Sequence, residues 1–320
     1  MANYPQLDDQ VGVWKLKEVN DAVMGGYWRN VGSRAFHGGG HGPVQTRHIE
    51  TANMSSSGNT TLFGDLLTLG GFRGSCGNFT RGLWAGGYTP SVVNNIDYIT
   101  FTTEGNAADF GDTTSVREGS TMTSNSTRGL GMGGASPSLL NIIDFVTIAS
   151  TGNAIDFGDL TAATGYPVGQ ASPTRAVRLG GYEPSKINKI DFVEIATTGN
   201  AETFGDMSSD NKAFGGNGAC CNATRALFGG GGPSYKTTVS TVQMATLGNS
   251  QEFGDLTVAR NYTGSTASAT RAVWGGGYQP SSPSYTNIID YMSIATGGTA
   301  VDFGDRTVAG SYLSACSNGH

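Results

Sequence analysis

Residues 155–160 read Ile-Asp-Phe-Gly-Asp-Leu, and the tripeptide at their centre, Phe157-Gly158-Asp159, is one of six copies in the chain. The copies end at Asp65, Asp112, Asp159, Asp206, Asp255 and Asp305, at spacings of 47, 47, 47, 49 and 50 residues. A second marker, Thr or Ser followed by Arg, keeps the same register at Arg34, Arg81, Arg128, Arg175, Arg225 and Arg271. Two markers in step over the whole chain define an internal repeat, and a period near 50 residues is that of propeller blades.

Residues 256–305 show what one unit contains. Residues 256–267 are small and polar, as an inner strand crowded against a central axis should be. Residues 271–278 form a second strand ending in a glycine run. Residues 287–295 alternate and carry β-branched side chains, as a third strand does. A Thr-Gly-Gly turn then leads into a short outer strand, residues 302–305. Four strands in each of six units predict an all-β, six-bladed propeller. The two ends predict its closure. Residues 306–320 match an inner strand and stop where the next Thr-Arg would begin, whereas Ser33-Arg34 has no such strand before it. Blade 1 is therefore expected to be a composite of the C-terminal strand and residues 33–66, which leaves no open sheet edge.

The composition agrees and removes several classes. The 320 residues include 50 glycines, and only 14% are charged, against about 25% in an average protein. A net charge of −6 argues against a phosphate-binding surface or a basic membrane anchor. No apolar run approaches the roughly 18 residues of a membrane helix. The opening Met1-Ala2-Asn3-Tyr4-Pro5 lacks the basic and apolar regions of a secretory signal. Four cysteines are too few for a disulfide scaffold of this size, and none forms a CxxC pair. The domains read as a 1–31 extension and a 32–320 propeller. Within the extension, Val13, Leu16, Val19 and Val23 recur at helical spacing among Lys15, Lys17, Glu18 and Asp21, and Gly25-Gly26 supplies a stop. A short amphipathic helix is expected there, either capping the ring or docking it to a larger assembly.

The regular charges read as structural. Six identical Asp and six identical Arg suit turn capping and strand tying better than chemistry, which needs a few unlike groups converging on one place. The Asp156–Asp159 type of loop lacks the dense oxygen ligands of a calcium site. His37, His41 and His48 fall together in blade 1, and the closing strand would bring His320 towards them, but the flanking Gly38-Gly39-Gly40 is a loop rather than a rigid ligand face. Cys76, Cys220 and Cys316 share one inner-strand position with Thr123, Gln170 and Thr266, which favours packing. No catalytic, cofactor-binding or metal residue is expected. The loop after Gly-Gly offers the remaining candidates, Tyr88, Tyr182 and Tyr278 in blades 2, 4 and 6. They pack either on neighbouring blades or as a partner-contact surface of large aromatic area.

The order of a Gly-Gly strand, a strand with Asp290-Tyr291 and a short aromatic strand resembles the Kelch-type repeat, with phenylalanine where the usual outer tryptophan stands. More specifically, Asn-Ile-Ile-Asp-Phe-Val-Thr-Ile-Ala-Ser-Thr-Gly-Asn-Ala-Ile-Asp-Phe-Gly-Asp-Leu (141–160) is similar to repeats in structural proteins of marine phages, notably cyanophages. Gly-Val-Trp-Lys-Leu-Lys-Glu-Val-Asn-Asp-Ala (12–22) resembles the start of phage tail-associated proteins. The resemblance implies a non-enzymatic virion structural protein, made in the host cytoplasm, tail-associated, and acting in particle assembly or host attachment. The partners it implies are other virion proteins, a host surface glycan or protein, and further copies of the chain in the particle, with no nucleic acid and no membrane insertion. A cellular Kelch-like or lectin-like binding module is the alternative. Blade 5 departs from the pattern, with Val239-Ser240-Thr241-Val242 where other blades read Ile-Asp-aromatic.

Overall fold

A computed structural model of the chain describes residues 34–43, 45–208, 219–231, 235–281 and 283–319. Six of its sheets are the blades of a β-propeller, and a small two-stranded sheet pairs Tyr88–Thr89 with Ser91–Val92. Blade 2 sets the plan: inner strand Gly74–Gly77, second strand Arg81–Ala85, third strand Asn95–Thr100 and outer strand Ala108–Asp112, each antiparallel to the next. Blade 1 closes the ring. Its inner strand is the C-terminal Ser314–Ser317, paired to Arg34–Gly38, which continues into His48–Asn53 and Thr61–Asp65. At that seam the Arg34 backbone N–H donates to the Asn318 side-chain oxygen at 3.0 Å. Arg34 and Asn318 therefore meet on the face that carries the Thr-Arg turns. There is no helix among the described residues, and the helix expected over Val13, Leu16, Val19 and Val23 lies outside them.

The inner strands are shorter than the sequence suggests. In blade 6 the inner strand is Gly264–Ala267, and residues 256–260 instead continue the outer strand of blade 5, Gln251–Arg260. Most inner-strand residues are small, as expected where successive blades converge on the axis, with Met122, Val168 and Gln170 the larger ones.

Each blade also carries a β-bulge between its third and outer strands. In blade 3 Ile143 faces Gly158 and Asp144 faces Asp156, so the register skips Phe157. The same skip occurs at Phe63, Phe110, Phe204, Phe253 and Phe303. A bulged residue leaves the ladder and can be re-aimed. These rings turn into the gap between blades, all buried except the half-buried Phe253. The core is accordingly divided into six apolar clusters, one at each blade–blade interface. The blade 1–2 cluster gathers Phe36, Ile49, Phe63 and Leu66 with Trp84, Ile99 and Phe101. The seam between blades 6 and 1 is packed likewise, by Val273, Ile289 and Phe303 against Ala35, Ala52 and Met54. Burial of each large side chain contributes about 1.5–3 kcal/mol, so most of the stabilising area lies between blades rather than within them.

The other two residues of the tripeptide bind the outer edge to the next blade. A Cβ on Gly158 would overlap the Gly199 carbonyl, and Gly64, Gly111, Gly205 and Gly304 are crowded in the same way by the following blade's turn. The backbone N–H of the aspartate then donates to an asparagine of that turn: Asp65 to Asn106 at 3.0 Å, Asp112 to Asn153 at 3.1 Å, Asp159 to Asn200 at 3.0 Å, Asp206 to Asn249 at 2.9 Å and Asp305 to Asn59 at 3.0 Å. Blade 6 has Thr299 in place of the asparagine, and there Gly298–Thr299 pairs directly with the outer strand of blade 5.

Candidate functional site

The charged residues are largely absorbed by the ring itself. The Thr-Arg arginines tie blade to blade: Arg81 donates to the Ile148 carbonyl at 2.9 Å, Arg128 to Ile195 at 2.7 Å, Arg225 to Ile294 at 2.8 Å and Arg271 to Met54 at 2.8 Å. Each guanidinium also covers an aromatic ring of its own blade, as Arg128 does over Phe145 at 4.8 Å. In blade 5 Thr241 replaces that aromatic, and Arg225 lies over Phe253 instead. The tripeptide aspartates correct the expectation made for them, because their backbone N–H, not their carboxylate, makes the repeated bond.

The acids that do accept turn N–H groups are those of the third strand. Asp97 accepts from Leu67, Asp144 from Thr114 and Asp290 from Thr257, at 3.2, 3.0 and 3.1 Å. Each is buried beside an arginine. Arg73 stands 3.6 Å from Asp97, Arg260 2.8 Å from Asp290 and Arg306 3.0 Å from Glu50, while Arg117 and Arg178 bond directly to Asp144 and Asp191. The arginines come from different places in the repeat. Arg178 lies on a second strand, whereas the other four precede an inner strand. Gly131 leaves room for Arg117, since a Cβ there would sit 2.6 Å from its Nη2. Blade 5 lacks both partners, having Ser240 and no arginine between Asp206 and Arg225. Removing one member of such a pair strands a buried charge, at about 3–5 kcal/mol. Burial raises the Asp97 carboxyl above its ordinary range, with Arg73 offsetting only part of the effect.

His37 is fully buried, and His48 is bonded to Asp65 at 2.7 Å. Among the described residues no group of three or more His, Cys, Asp or Glu could hold a metal ion; His320 lies outside them. All four cysteines are buried, and burial pushes the Cys76 thiol up to about 12, so it stays protonated. Tyr88 and Tyr182 are 40% and 37% exposed on the Gly-Gly face. Tyr278 is half-buried, stacked 5.9 Å from Tyr235 and edge-on to Tyr285 at 5.3 Å. The three tyrosines share a face, but the third is enclosed in an aromatic group.

At the centre of the same face is a feature that the strand-by-strand reading passed over. Phe72, Tyr166, Tyr262 and Tyr312 have φ of 60°, 53°, 58° and 54°, and no other non-glycine residue described has a positive φ. Each lies seven residues beyond a tripeptide aspartate, where blade 3 has Gly119, at φ 57°. The left-handed conformation costs a side chain roughly 1–2 kcal/mol. A chain of backbone hydrogen bonds running around the axis enforces it. Tyr312 N–H donates to the Tyr262 carbonyl at 3.0 Å, Phe72 to Tyr312 at 3.4 Å, Gly119 to Phe72 at 2.9 Å and Tyr166 to Gly119 at 2.7 Å. The rings follow the same path. Tyr262 and Phe72 each lie 4.1 Å from Tyr312 with planes tilted 35°, and Tyr166 closes on Phe72 at 5.9 Å, its ring over the space that Gly119 leaves. The Tyr166 hydroxyl donates to Glu118 at 3.0 Å, and burial together with that carboxylate raises its pKa to about 12.

This collar rims an axial cavity of about 110 Å³, lined by Phe72, Tyr166 and Tyr312 at the mouth and by Ser75, Gln170 and Ser265 from the inner strands. A smaller space of about 30 Å³ continues below it, past Cys76, Cys221 and Cys316. Compared with protein-family models and with curated proteins, the chain matches none.

Proposed function

We propose that this propeller is a non-catalytic binding component of a bacteriophage particle, tail-associated and acting in assembly or host attachment. The observation that carries the proposal is the concentration of aromatic area on one face. Tyr88 and Tyr182 stand exposed there, with the Tyr235–Tyr278–Tyr285 group and the axial collar beside them. Tyrosine offers large contact area at low cost in side-chain entropy. The Kelch-like order of strands and the phage-like wording of residues 141–160 supply the setting. Mass spectrometry of purified particles tests the setting, with the chain expected among the virion proteins. The combined variant Tyr88→Ala, Tyr182→Ala and Tyr278→Ala tests the face: the ring should still fold, with melting lowered only by loss of the Tyr278 contacts, while adsorption or assembly falls by roughly tenfold or more, equivalent to about 1.4 kcal/mol. Wild-type adsorption and assembly of the variant would overturn the role of the face. Absence of the chain from particles would favour a cellular Kelch-like or lectin-like module.

A further inference from the structure

We propose that the axial cavity is a binding site for the terminal sugar of a neutral glycan, inserted through the aromatic collar along the propeller axis. The inference rests on the reading of the ring as a binding component and gives that reading a ligand class.

Three observations select the chemistry. First, the collar keeps four aromatic side chains in a conformation that glycine would hold without strain, as Gly119 does in the same ring. Backbone strain retained at one position of the repeat, and filled there each time by an aromatic, points to a use for the ring. Second, the rings of Phe72, Tyr312 and Tyr262 cover one another's faces at 4.1 Å, so the mouth is rimmed mainly by ring edges. Edges carry the positive side of the aromatic quadrupole. They favour oxygen-bearing groups and disfavour cations, which need open faces. Third, the walls carry the hydroxyls of Ser75, Ser120, Thr121, Ser265 and Ser314 and the amide of Gln170, and the charges nearby are engaged. Arg73 is buried beside Asp97, and Glu118 accepts from Tyr166. A mouth of ring edges above neutral donors and acceptors fits a polyhydroxylated, uncharged group. The size sets the depth of entry, since about 110 Å³ is smaller than the roughly 150 Å³ cavity that holds one benzene ring, so the hydroxymethyl or acetamido arm of the terminal sugar enters while its ring rests at the mouth.

The full chain should be titrated by saturation-transfer NMR with the methyl glycosides of glucose, galactose, mannose and N-acetylglucosamine, and separately with choline. At least one glycoside should bind and choline should not. The variant Tyr312→Gly copies what blade 3 already does at this position, so it should fold while weakening the glycoside roughly tenfold or more. Tyr166→Gly serves as the second collar variant if the first lowers stability. Binding of none of the four glycosides, preferential binding of choline, or undiminished binding by both collar variants would each overturn the proposal. The two readings fail separately. Particle incorporation together with adsorption loss in the Tyr88, Tyr182 and Tyr278 variant, but no glycoside binding, removes only the axial site. Glycoside binding by a chain absent from particles removes only the phage setting.

Discussion

His37 occupies the place that Trp84, Phe228 and Trp274 fill in other blades, three residues after the marker arginine. An imidazole in that apolar slot stays neutral. Burial, reinforced by the nearby Arg306 guanidinium, holds its pKa down at about 3, with the Gly264 backbone offsetting part of the shift. In the unfolded chain the same group titrates near 6.5. Above that pH the ring is neutral in both states and adds no pH dependence. As pH falls below 6.5 the unfolded chain takes up the proton first, and stability drops by at most about 1.4 kcal/mol per pH unit until the folded group titrates near 3. The variant His37→Phe should lose this part of the acid sensitivity. Urea unfolding of both proteins between about pH 7 and pH 4 checks it, because the carboxylates contribute alike to each and cancel in the difference. Parallel stability curves would mean that the histidine is not held neutral.

At the scale of the strand and turn, the outer edge offers an internal control. Gly158 and Gly152 have nearly the same φ, 151° and 154°, but a Cβ at Gly158 would collide with the next blade's backbone, whereas one at Gly152 would meet nothing within 4 Å. Replacing either by alanine incurs the same backbone strain. The extra cost of Gly158→Ala over Gly152→Ala isolates the close approach between blades, and it should be about 1–3 kcal/mol, as for overpacking elsewhere, read from chemical denaturation midpoints. Equal costs would assign the glycine to local conformation alone. The strands themselves were legible because the repeat shows each of them six times. Their limits were less so. Residues 256–267 read as one continuous small, polar strand, yet the chain breaks it where Tyr262 turns left-handed, and side-chain type does not announce that turn. The collar did leave a signal, an aromatic seven residues past the aspartate in four units. The buried arginines left little, because only Arg117 and Arg260 share a position, five residues past the aspartate, while Arg73, Arg178 and Arg306 reach equivalent acids from unlike ones.

For the whole molecule, closure was readable from the two chain ends, and it is the point on which the ring's integrity depends. Deleting residues 309–320 removes Ser314–Ser317 from Arg34–Gly38, exposes an unpaired strand beside the axis and takes away Cys316 from the blade 1–2 cluster. Unpaired edges template association. Size-exclusion chromatography should therefore show aggregates, and the melting temperature should fall. A monomer with unchanged melting would contradict the closure. The seam also fixes how the ring transmits force. Arg34 and Asn318 meet on the Thr-Arg face, so a linker attached at either residue pulls from the side opposite the aromatic collar. A load applied at the collar and resisted at such a linker runs lengthwise along the paired strands and strains their hydrogen bonds together, in shear. Tension applied between the two ends instead opens the same pair one bond at a time. The ring is thus mechanically polar, firm when pulled along its axis and weak when its seam is peeled.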